Sequence, residues 1–229
     1  DDAFSTIVAA VEQGRVIFAN IRASVTFMLC TNVAEVLAVA IPTLIGWTLP
    51  LHPLQILYLN VITDVFPALA LGVGPGSGQE MRQPPRPADE PVLTSAHWRS
   101  IAGWAGLLAA CVLAALLLAE NWLQLDTNAA VTVSFLTLAF GKLWFTFNLR
   151  QPGSNFLKNG ITANPWVWGA LALCIGLLLL SVYLPGLNTV LKTSDPGGSG
   201  WILLLSISLI PVLVGQIRRS LQRPPEVGD

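Results

Sequence analysis

The chain has 229 residues, of which 53% are hydrophobic and only 11% are charged. An ordinary soluble domain carries about 25% charged residues. The formal net charge of −1 excludes a strongly basic nucleic-acid binder and an acidic disordered tail. The composition therefore indicates an integral membrane protein, with the lipid bilayer as its surroundings and no nucleic-acid partner.

Six apolar stretches have the length of about 20 residues that a membrane-spanning helix needs. They are Val25–Ile45, Leu54–Val73, Ile101–Ala119, Ala129–Asn148, Trp166–Leu184 and Trp201–Ile217. They predict an all-α, polytopic membrane helix bundle with six transmembrane helices and both termini on one side. We expect Pro211 to kink the last and shortest span.

The basic residues predict which side the termini occupy. Ten of the 12 Lys and Arg residues lie on one side of this arrangement: Arg15, Arg22, Arg82, Arg86, Arg99, Arg150, Lys158, Arg218, Arg219 and Arg223. The positive-inside rule makes that side, and both termini, cytoplasmic. Lys192 lies on the opposite side and Lys142 falls inside the fourth span. We expect the membrane to be that of a prokaryotic cell.

Two segments outside the spans have distinct patterns. Residues 1–23 carry apolar side chains near helical spacing, mixed with charges, which predicts a cytoplasmic helix that continues into the first span. An amphipathic surface helix is the alternative. Residues 74–97 are rich in Pro and Gly and predict a cytoplasmic loop without continuous helix.

The three cysteines, Cys30, Cys111 and Cys174, lie in apolar runs without metal-ligand or redox spacing, and we interpret them as buried hydrophobic residues. The sequence starts at Asp1 and shows no signal-peptide pattern. We therefore expect it to be a piece of a longer protein.

Three ionisable residues, Glu35, Asp64 and Lys142, fall near the middle of apolar spans. A charge at that depth costs about 2.5–3.5 kcal/mol on insertion scales. Three such charges should therefore face a shared interior, where they pair with one another or bind an ion.

Polar neighbours extend this set. Asn32 lies three residues before Glu35, and Asn60, Thr63 and Asp64 share one helix face. Carboxylate, amide and hydroxyl oxygens suit a hard cation such as Ca²⁺, which takes about 6–8 oxygen ligands. The predicted metal ligands are Asn32, Glu35, Asn60, Thr63 and Asp64. The alternative is a polar network that only holds helices together.

Pro67 adds a backbone feature to the second span. It has no N–H and clashes with the carbonyl of Thr63, four residues earlier. A carbonyl freed in this way is tolerated where it lines a cavity.

The predicted organisation of the chain follows from these patterns. It consists of a stalk helix at 1–23, an ion-site helix pair at 24–73, a cytoplasmic loop at 74–97, a supporting four-helix bundle at 98–217 and a cytoplasmic tail at 218–229.

The runs DDAFSTIVAAVEQGRVIFANI, TNVAEV and LQILYLNVITDVFPALALG resemble the calcium-pump branch of the P-type cation-transporting ATPases. The last four spans match by length, order and loops. The resemblance implies the fifth to tenth membrane helices of such a pump, with residues 1–23 as the stalk that couples the phosphorylation domain to the ion site. It also implies that Asn32 and Glu35 are fifth-helix ligands and that Asn60, Thr63 and Asp64 are sixth-helix ligands.

Two positions depart from the family pattern. Val65 stands where a Gly commonly follows the sixth-helix Asp. Lys142 stands at the eighth-helix position that carries a ligand carboxylate or amide in calcium pumps, in an alignment anchored on Asn148 and Arg150. An ammonium has three donors and no acceptor, so it cannot ligate a cation.

Lys142 is therefore our candidate counter-cation. The hypothesis is that it pairs with Glu35 or Asp64 and replaces one of two ion sites. The alternative is that its side chain turns toward the cytoplasmic interface.

The resemblance also defines what this sequence does not contain. There is no DKTGT-type phosphorylation loop, so we expect no ATP hydrolysis by this chain alone and no cofactor of its own. The implied partners are the actuator, phosphorylation and nucleotide domains, which use ATP and Mg²⁺, and the first four membrane helices. The fourth of these supplies further oxygen ligands in the family.

We therefore expect the chain to supply part of the mid-membrane cation site of an ATP-driven pump. Ca²⁺ is the first choice of ion, and Mn²⁺ and monovalent cations remain open. The alternatives are a truncated membrane fragment with a scaffold role, and a channel or secondary transporter. Secondary transporters often show internal repeats, and the two halves of this sequence do not resemble each other.

Overall fold

The computed structural model describes residues 2–76, 81, 84, 90–150 and 159–221. In these ranges the chain is helical and contains no strand. The helices are α1 (Asp2–Ile45), α2 (Pro53–Leu59), α3 (Val65–Gly72), α4 (Ser95–Asn121), α5 (Thr127–Phe145), α6 (Pro165–Tyr183), α7 (Leu187–Leu191), α8 (Gly197–Ser208) and α9 (Ile210–Leu221). A π-helical segment, Asn60–Asp64, joins α2 to α3, and a 3₁₀ turn, Thr146–Leu149, follows α5. Arg82, Arg86, Lys158 and Arg223, all predicted to be cytoplasmic, lie outside the described residues.

The predicted helix bundle is confirmed. Six helical segments in the described chain are long and apolar enough to cross a membrane. The second crossing runs through α2, the π-helical segment and α3, and the sixth runs through α8 and α9. The last crossing is interrupted at Leu209, two residues before Pro211. A proline without an N–H suits the first turn of a helix and not its interior, and Pro211 lies in the first turn of α9. Whether it kinks the crossing stays a prediction.

The first crossing is one uninterrupted helix. α1 spans 44 residues and contains Pro42 within its last turn. At about 1.5 Å per residue it is roughly 66 Å long, about twice the thickness of a bilayer's hydrocarbon core. It must therefore extend well beyond the membrane at one end. Whether residues 1–23 act as a stalk stays a prediction.

Helix α5 forms the centre of the bundle. It packs against α1, α4, α6, α8 and α9, and 94% of its most apolar window is buried inside the protein. A glycine allows α4 to pack closely against α5. A Cβ added at Gly141 of α5 would lie only 3.2 Å from the Leu108 side chain of α4. The polar side chains in the middle of α5, including Thr132, Ser134, Thr137 and Lys142, therefore face protein and not lipid.

The end of α3 is held by side chains from two other helices. The Ser24 hydroxyl donates to the Ala68 carbonyl at 2.8 Å, and the Asn20 amide donates to the Gly74 carbonyl at 2.7 Å. From the other side, the Asn164 amide donates to the Ala70 carbonyl at 2.7 Å. The last four carbonyls of a helix have no intrahelical donor, so Asn164 satisfies one such group at Ala70, while Ser24 and Asn20 bind the carbonyls on either side of the helix end. They also tie α1 directly to α3.

Basic side chains gather at one end of the bundle. Arg22 pairs with Glu90 at 3.1 Å. At the junction of the 3₁₀ turn and α9, Arg150 donates to the Gln216 side chain and Arg219 donates to the Asn148 carbonyl. This clustering fits the charge pattern on which the predicted orientation rests.

The opposite end contains a short helix that the sequence pattern did not predict. α7 begins after Gly186, whose φ of +91° suits glycine. The Gln55 amide donates to the Leu191 carbonyl at 3.0 Å and fastens α7 to α2. Burial and the nearby Lys192 ammonium lower the pKa of His52 in this region. A helix of five residues is too short to show a periodic signal.

We expect Gly215→Ala to destabilise the junction between α9 and the end of α5. A Cβ at Gly215 would overlap Oδ1 of Asn148, whose amide donates to the Pro211 carbonyl. Overpacking of this kind costs about 1–3 kcal/mol, so the thermal unfolding midpoint in detergent should fall. Gly106→Ala is the matched control, because its Cβ meets nothing within 4 Å. Equal midpoints for the two variants would contradict this packing.

Candidate functional site

The structure brings the three intramembrane charges together. The Lys142 ammonium donates to Oε2 of Glu35 at 2.8 Å and to Oδ1 and Oδ2 of Asp64 at 3.0 and 3.3 Å. The Lys142 side chain is 0% exposed, and those of Glu35 and Asp64 are 5% and 4% exposed. The alternative in which Lys142 turns toward the cytoplasmic interface is therefore wrong. We refer to these three residues as the buried triad.

The triad contains two acidic groups and one basic group. With both carboxyls ionised, two carboxylates around one ammonium would leave a formal charge of −1 in a site shielded from water. Oε1 of Glu35 is also buried and has no hydrogen-bond partner within the described part of the chain. A buried acceptor without a donor or a cation is costly. This Glu35 oxygen therefore lacks the partner that a fully satisfied network would give it.

Asn60 belongs to the same cluster. With its amide nitrogen turned toward the carboxylates, it donates to Oε2 of Glu35 at 2.9 Å and to Oδ2 of Asp64 at 3.1 Å. In this arrangement Asn60 acts as a donor, and its oxygen is not available to a cation at the same point. A cation at the carboxylates would need this amide to rotate.

The helix that carries Asn60 and Asp64 is widened at the site itself. Residues Asn60–Asp64 form a π-helical turn. Such a turn contains one extra residue, and Pro67 lacks an N–H, so some carbonyls here have no intrahelical donor. The Cys174 thiol of α6 donates to one of them, the carbonyl of Ile62, at 3.2 Å. The sequence predicted a freed carbonyl at Thr63. The carbonyl that accepts this contact is that of Ile62, one residue earlier.

The other two predicted ligands are placed differently. The Thr63 hydroxyl is buried beside Asp64 and donates to the Leu59 carbonyl at 2.9 Å. Asn32 is half-buried on α1, one turn from Glu35, and makes no side-chain hydrogen bond with any described residue. The structure therefore brings Glu35, Asn60, Thr63 and Asp64 together around Lys142 and leaves Asn32 at the edge.

Thr31 is a neighbour of the site that sequence reasoning missed. It is 0% exposed, its hydroxyl lies beside Asp64, and it donates to the Phe27 carbonyl at 3.1 Å. It precedes Glu35 by four residues, so the helical spacing that selected Asn32 could also have selected Thr31.

The oxygen set on this chain is partial. Among the described residues, no three His, Cys, Asp or Glu side chains cluster in a way that could hold a metal ion. The two carboxylates, the Asn60 amide and the threonine hydroxyls supply fewer than the 6–8 oxygens of a typical Ca²⁺ site. Any cation bound here as cargo needs further ligands.

Comparison with known families decides the class of this bundle. The family described as "Cation transporting ATPase, C-terminus" matches residues 48–221. The chain belongs to this family. The resemblance to P-type cation pumps that the sequence motifs indicated is thereby confirmed.

Named relatives agree with this assignment. The chain is 32% identical to "Calcium-transporting ATPase 1" of Bacillus cereus, covering 95% of this chain and 26% of that protein. It is 31% identical to "Calcium-transporting ATPase" of Bacillus subtilis, over 93% and 24%. A yeast relative, "Calcium-transporting ATPase 1" of Saccharomyces cerevisiae, is 30% identical over 96% and 23%. The chain spans about a quarter of the length of these relatives.

We expect Lys142→Met to destabilise the bundle strongly. Removing one partner of a buried ion pair costs about 3–5 kcal/mol, because the remaining charge is left uncompensated. The double variant Glu35→Gln/Lys142→Met should recover part of this loss, since it removes one carboxylate charge as well. Thermal unfolding in detergent measures both variants.

The matched control for this cycle is Lys192→Met, at an exposed lysine. It should leave the unfolding midpoint close to that of the parent. Additive effects of the Glu35 and Lys142 substitutions would show that the two side chains are not coupled.

Proposed function

We propose that this chain is the C-terminal membrane part of an ATP-driven cation pump and that it supplies part of the cation-binding site in mid-membrane. The observation that carries this proposal is the convergence of Glu35 and Asp64, from two consecutive crossings, on one buried point with a carboxylate oxygen left unbonded. Placing a charged side chain in mid-membrane costs free energy, and a bundle with only a structural role would have no need of two such carboxylates. Ca²⁺ is the proposed cargo, because the relatives are named calcium-transporting ATPases.

The proposed ligands are Asn32, Glu35, Asn60, Thr63 and Asp64. Support for Asn60 comes from its contact with both carboxylates. When a cation arrives, the Asn60 amide would rotate by about half a turn and present its oxygen. The π-helical turn favours such a change, since it loosens the backbone at the position where the ligands lie.

Lys142 is proposed to act as a built-in counter-cation. Its ammonium holds one oxygen of Glu35 and both oxygens of Asp64, so a second divalent ion between the same carboxylates would meet a fixed positive charge. A pump of this design would carry one Ca²⁺ per cycle instead of two.

The rest of the pump would be the partner of this chain. The actuator, phosphorylation and nucleotide domains would use ATP and Mg²⁺, and the first four membrane helices would complete the oxygen set. The proposed stalk, residues 1–23, would pass movement of the phosphorylation domain to α3 through Asn20 and Ser24. The basic end of the bundle would face the cytoplasm.

Cation-dependent ATPase activity of the longest polypeptide that the gene encodes tests the proposed site. Glu35→Gln and Asp64→Asn should each reduce the apparent Ca²⁺ affinity by at least tenfold, because each removes one anionic ligand. Glu120→Gln, at the far end of α4, is the matched control. Activity that is indifferent to both site substitutions would remove this assignment, and activation by Mn²⁺ or a monovalent ion alone would overturn the choice of Ca²⁺.

The stoichiometry is tested by counting transported ions. In reconstituted vesicles, Lys142→Gln should raise the number of Ca²⁺ ions moved per ATP or the apparent affinity, since an amide oxygen replaces an ammonium. Lys192→Gln should change neither. Unchanged ion counts and affinity in Lys142→Gln would refute the counter-cation role while leaving the ligand assignment standing.

A further inference from the structure

A groove lies between α4 and α9 at the basic end of the bundle, and none of the triad residues lines it. Its volume is about 520 Å³. The side chains that line it and matter for its chemistry are Arg99, Ser100, Trp104 and Leu107 from α4 and Val214 and Arg218 from α9.

The lining changes from basic to apolar along the membrane normal. On α4 the order is Arg99 and Ser100, then Trp104, then Leu107, and on α9 Arg218 lies one turn beyond Val214. At about 1.5 Å per residue, Leu107 lies roughly 12 Å deeper than Arg99. The groove therefore presents cations at the level of the lipid headgroups and hydrocarbon below them.

The two arginines at its mouth have no other role in the described structure. Arg99 and Arg218 are both exposed, and neither makes an ion pair or a hydrogen bond with any other described residue. Arg218 also repels the neighbouring Arg219 guanidinium. An anion between Arg99 and Arg218 would relieve this excess of positive charge.

We propose that this groove binds an anionic phospholipid from the leaflet at the basic end. The phosphate would accept hydrogen bonds from Arg99, Arg218 and the Ser100 hydroxyl, and an acyl chain would lie against Trp104, Leu107 and Val214. Basic pockets between transmembrane helices bind lipid headgroups in this way. A free phosphate would use only the upper half of the groove, and an apolar peptide only the lower half.

Two glycines on α4 provide a steric test. A Cβ on Gly103, which lines the groove, meets nothing within 4 Å, and the same holds for Gly106, which does not line it. Gly103→Leu should therefore fill the groove without disturbing the helix packing, and Gly106→Leu is its matched control. Arg99→Gln/Arg218→Gln removes the charge and keeps the shape of the groove.

The experiment is native mass spectrometry of the purified, delipidated protein, with the N-terminal part that its gene encodes. The probes are dioleoyl phosphatidylglycerol, dioleoyl phosphatidylcholine and inorganic phosphate. We expect one retained phosphatidylglycerol, about fivefold weaker retention for each arginine removed and about thirtyfold for the pair. Gly103→Leu should abolish retention and Gly106→Leu should not.

Three results would overturn the proposal. The first is equal retention of phosphatidylglycerol and phosphatidylcholine. The second is retention of phosphatidylglycerol by Gly103→Leu at the level of the parent. The third is retention of inorganic phosphate without retention of phosphatidylglycerol. A polypeptide that copurifies and blocks phosphatidylglycerol binding would assign the groove to a protein partner. The thermal unfolding midpoint of each variant is the folding control. If it is unchanged, weaker lipid retention does not result from unfolding.

Discussion

A lysine ammonium enclosed by two carboxylates in the middle of an apolar bundle is the constraint on which this structure depends. The three side chains are almost fully buried, so each charge depends on the others for its main partners. Glu35 comes from α1, Asp64 from the second crossing and Lys142 from α5. Their contacts therefore fix three helices against one another at one depth. α5 can hold a fully buried lysine only because it is surrounded by the other helices.

The same arrangement is the basis of the proposed function. The triad leaves one buried Glu35 oxygen without a partner in the described part of the chain, and the proposed cation role rests on this observation. The π-helical turn and the Asn60 amide put the adaptable groups beside the charges. The hydrogen bonds from Asn20 and Ser24 to the end of α3 connect this region to the long α1 helix. The proposed binding site and the proposed coupling path thus lie on the same two crossings.

Much of this could be predicted from the residues alone. The six crossings follow from hydropathy, and the meeting of Glu35, Asp64 and Lys142 follows from the cost of isolated charge in lipid. From Pro67 the sequence predicted only a freed carbonyl and not the π-helical turn, and the Cys174 thiol that donates to the Ile62 carbonyl lies 112 residues away along the chain. The role of Asn164 and the docking of α7 by Gln55 could not be read from the sequence, since both depend on partners 94 and 136 residues away.

The most direct test of the account is the number of Ca²⁺ ions bound at equilibrium, without ATP, by the longest polypeptide that the gene encodes. Radioisotope binding, normalised to the amount of protein that can be phosphorylated, gives this number. If Lys142 permanently occupies the place of one ion, saturation will come at one Ca²⁺ per chain. Saturation at two Ca²⁺ per chain, with Lys142 intact, would contradict the account.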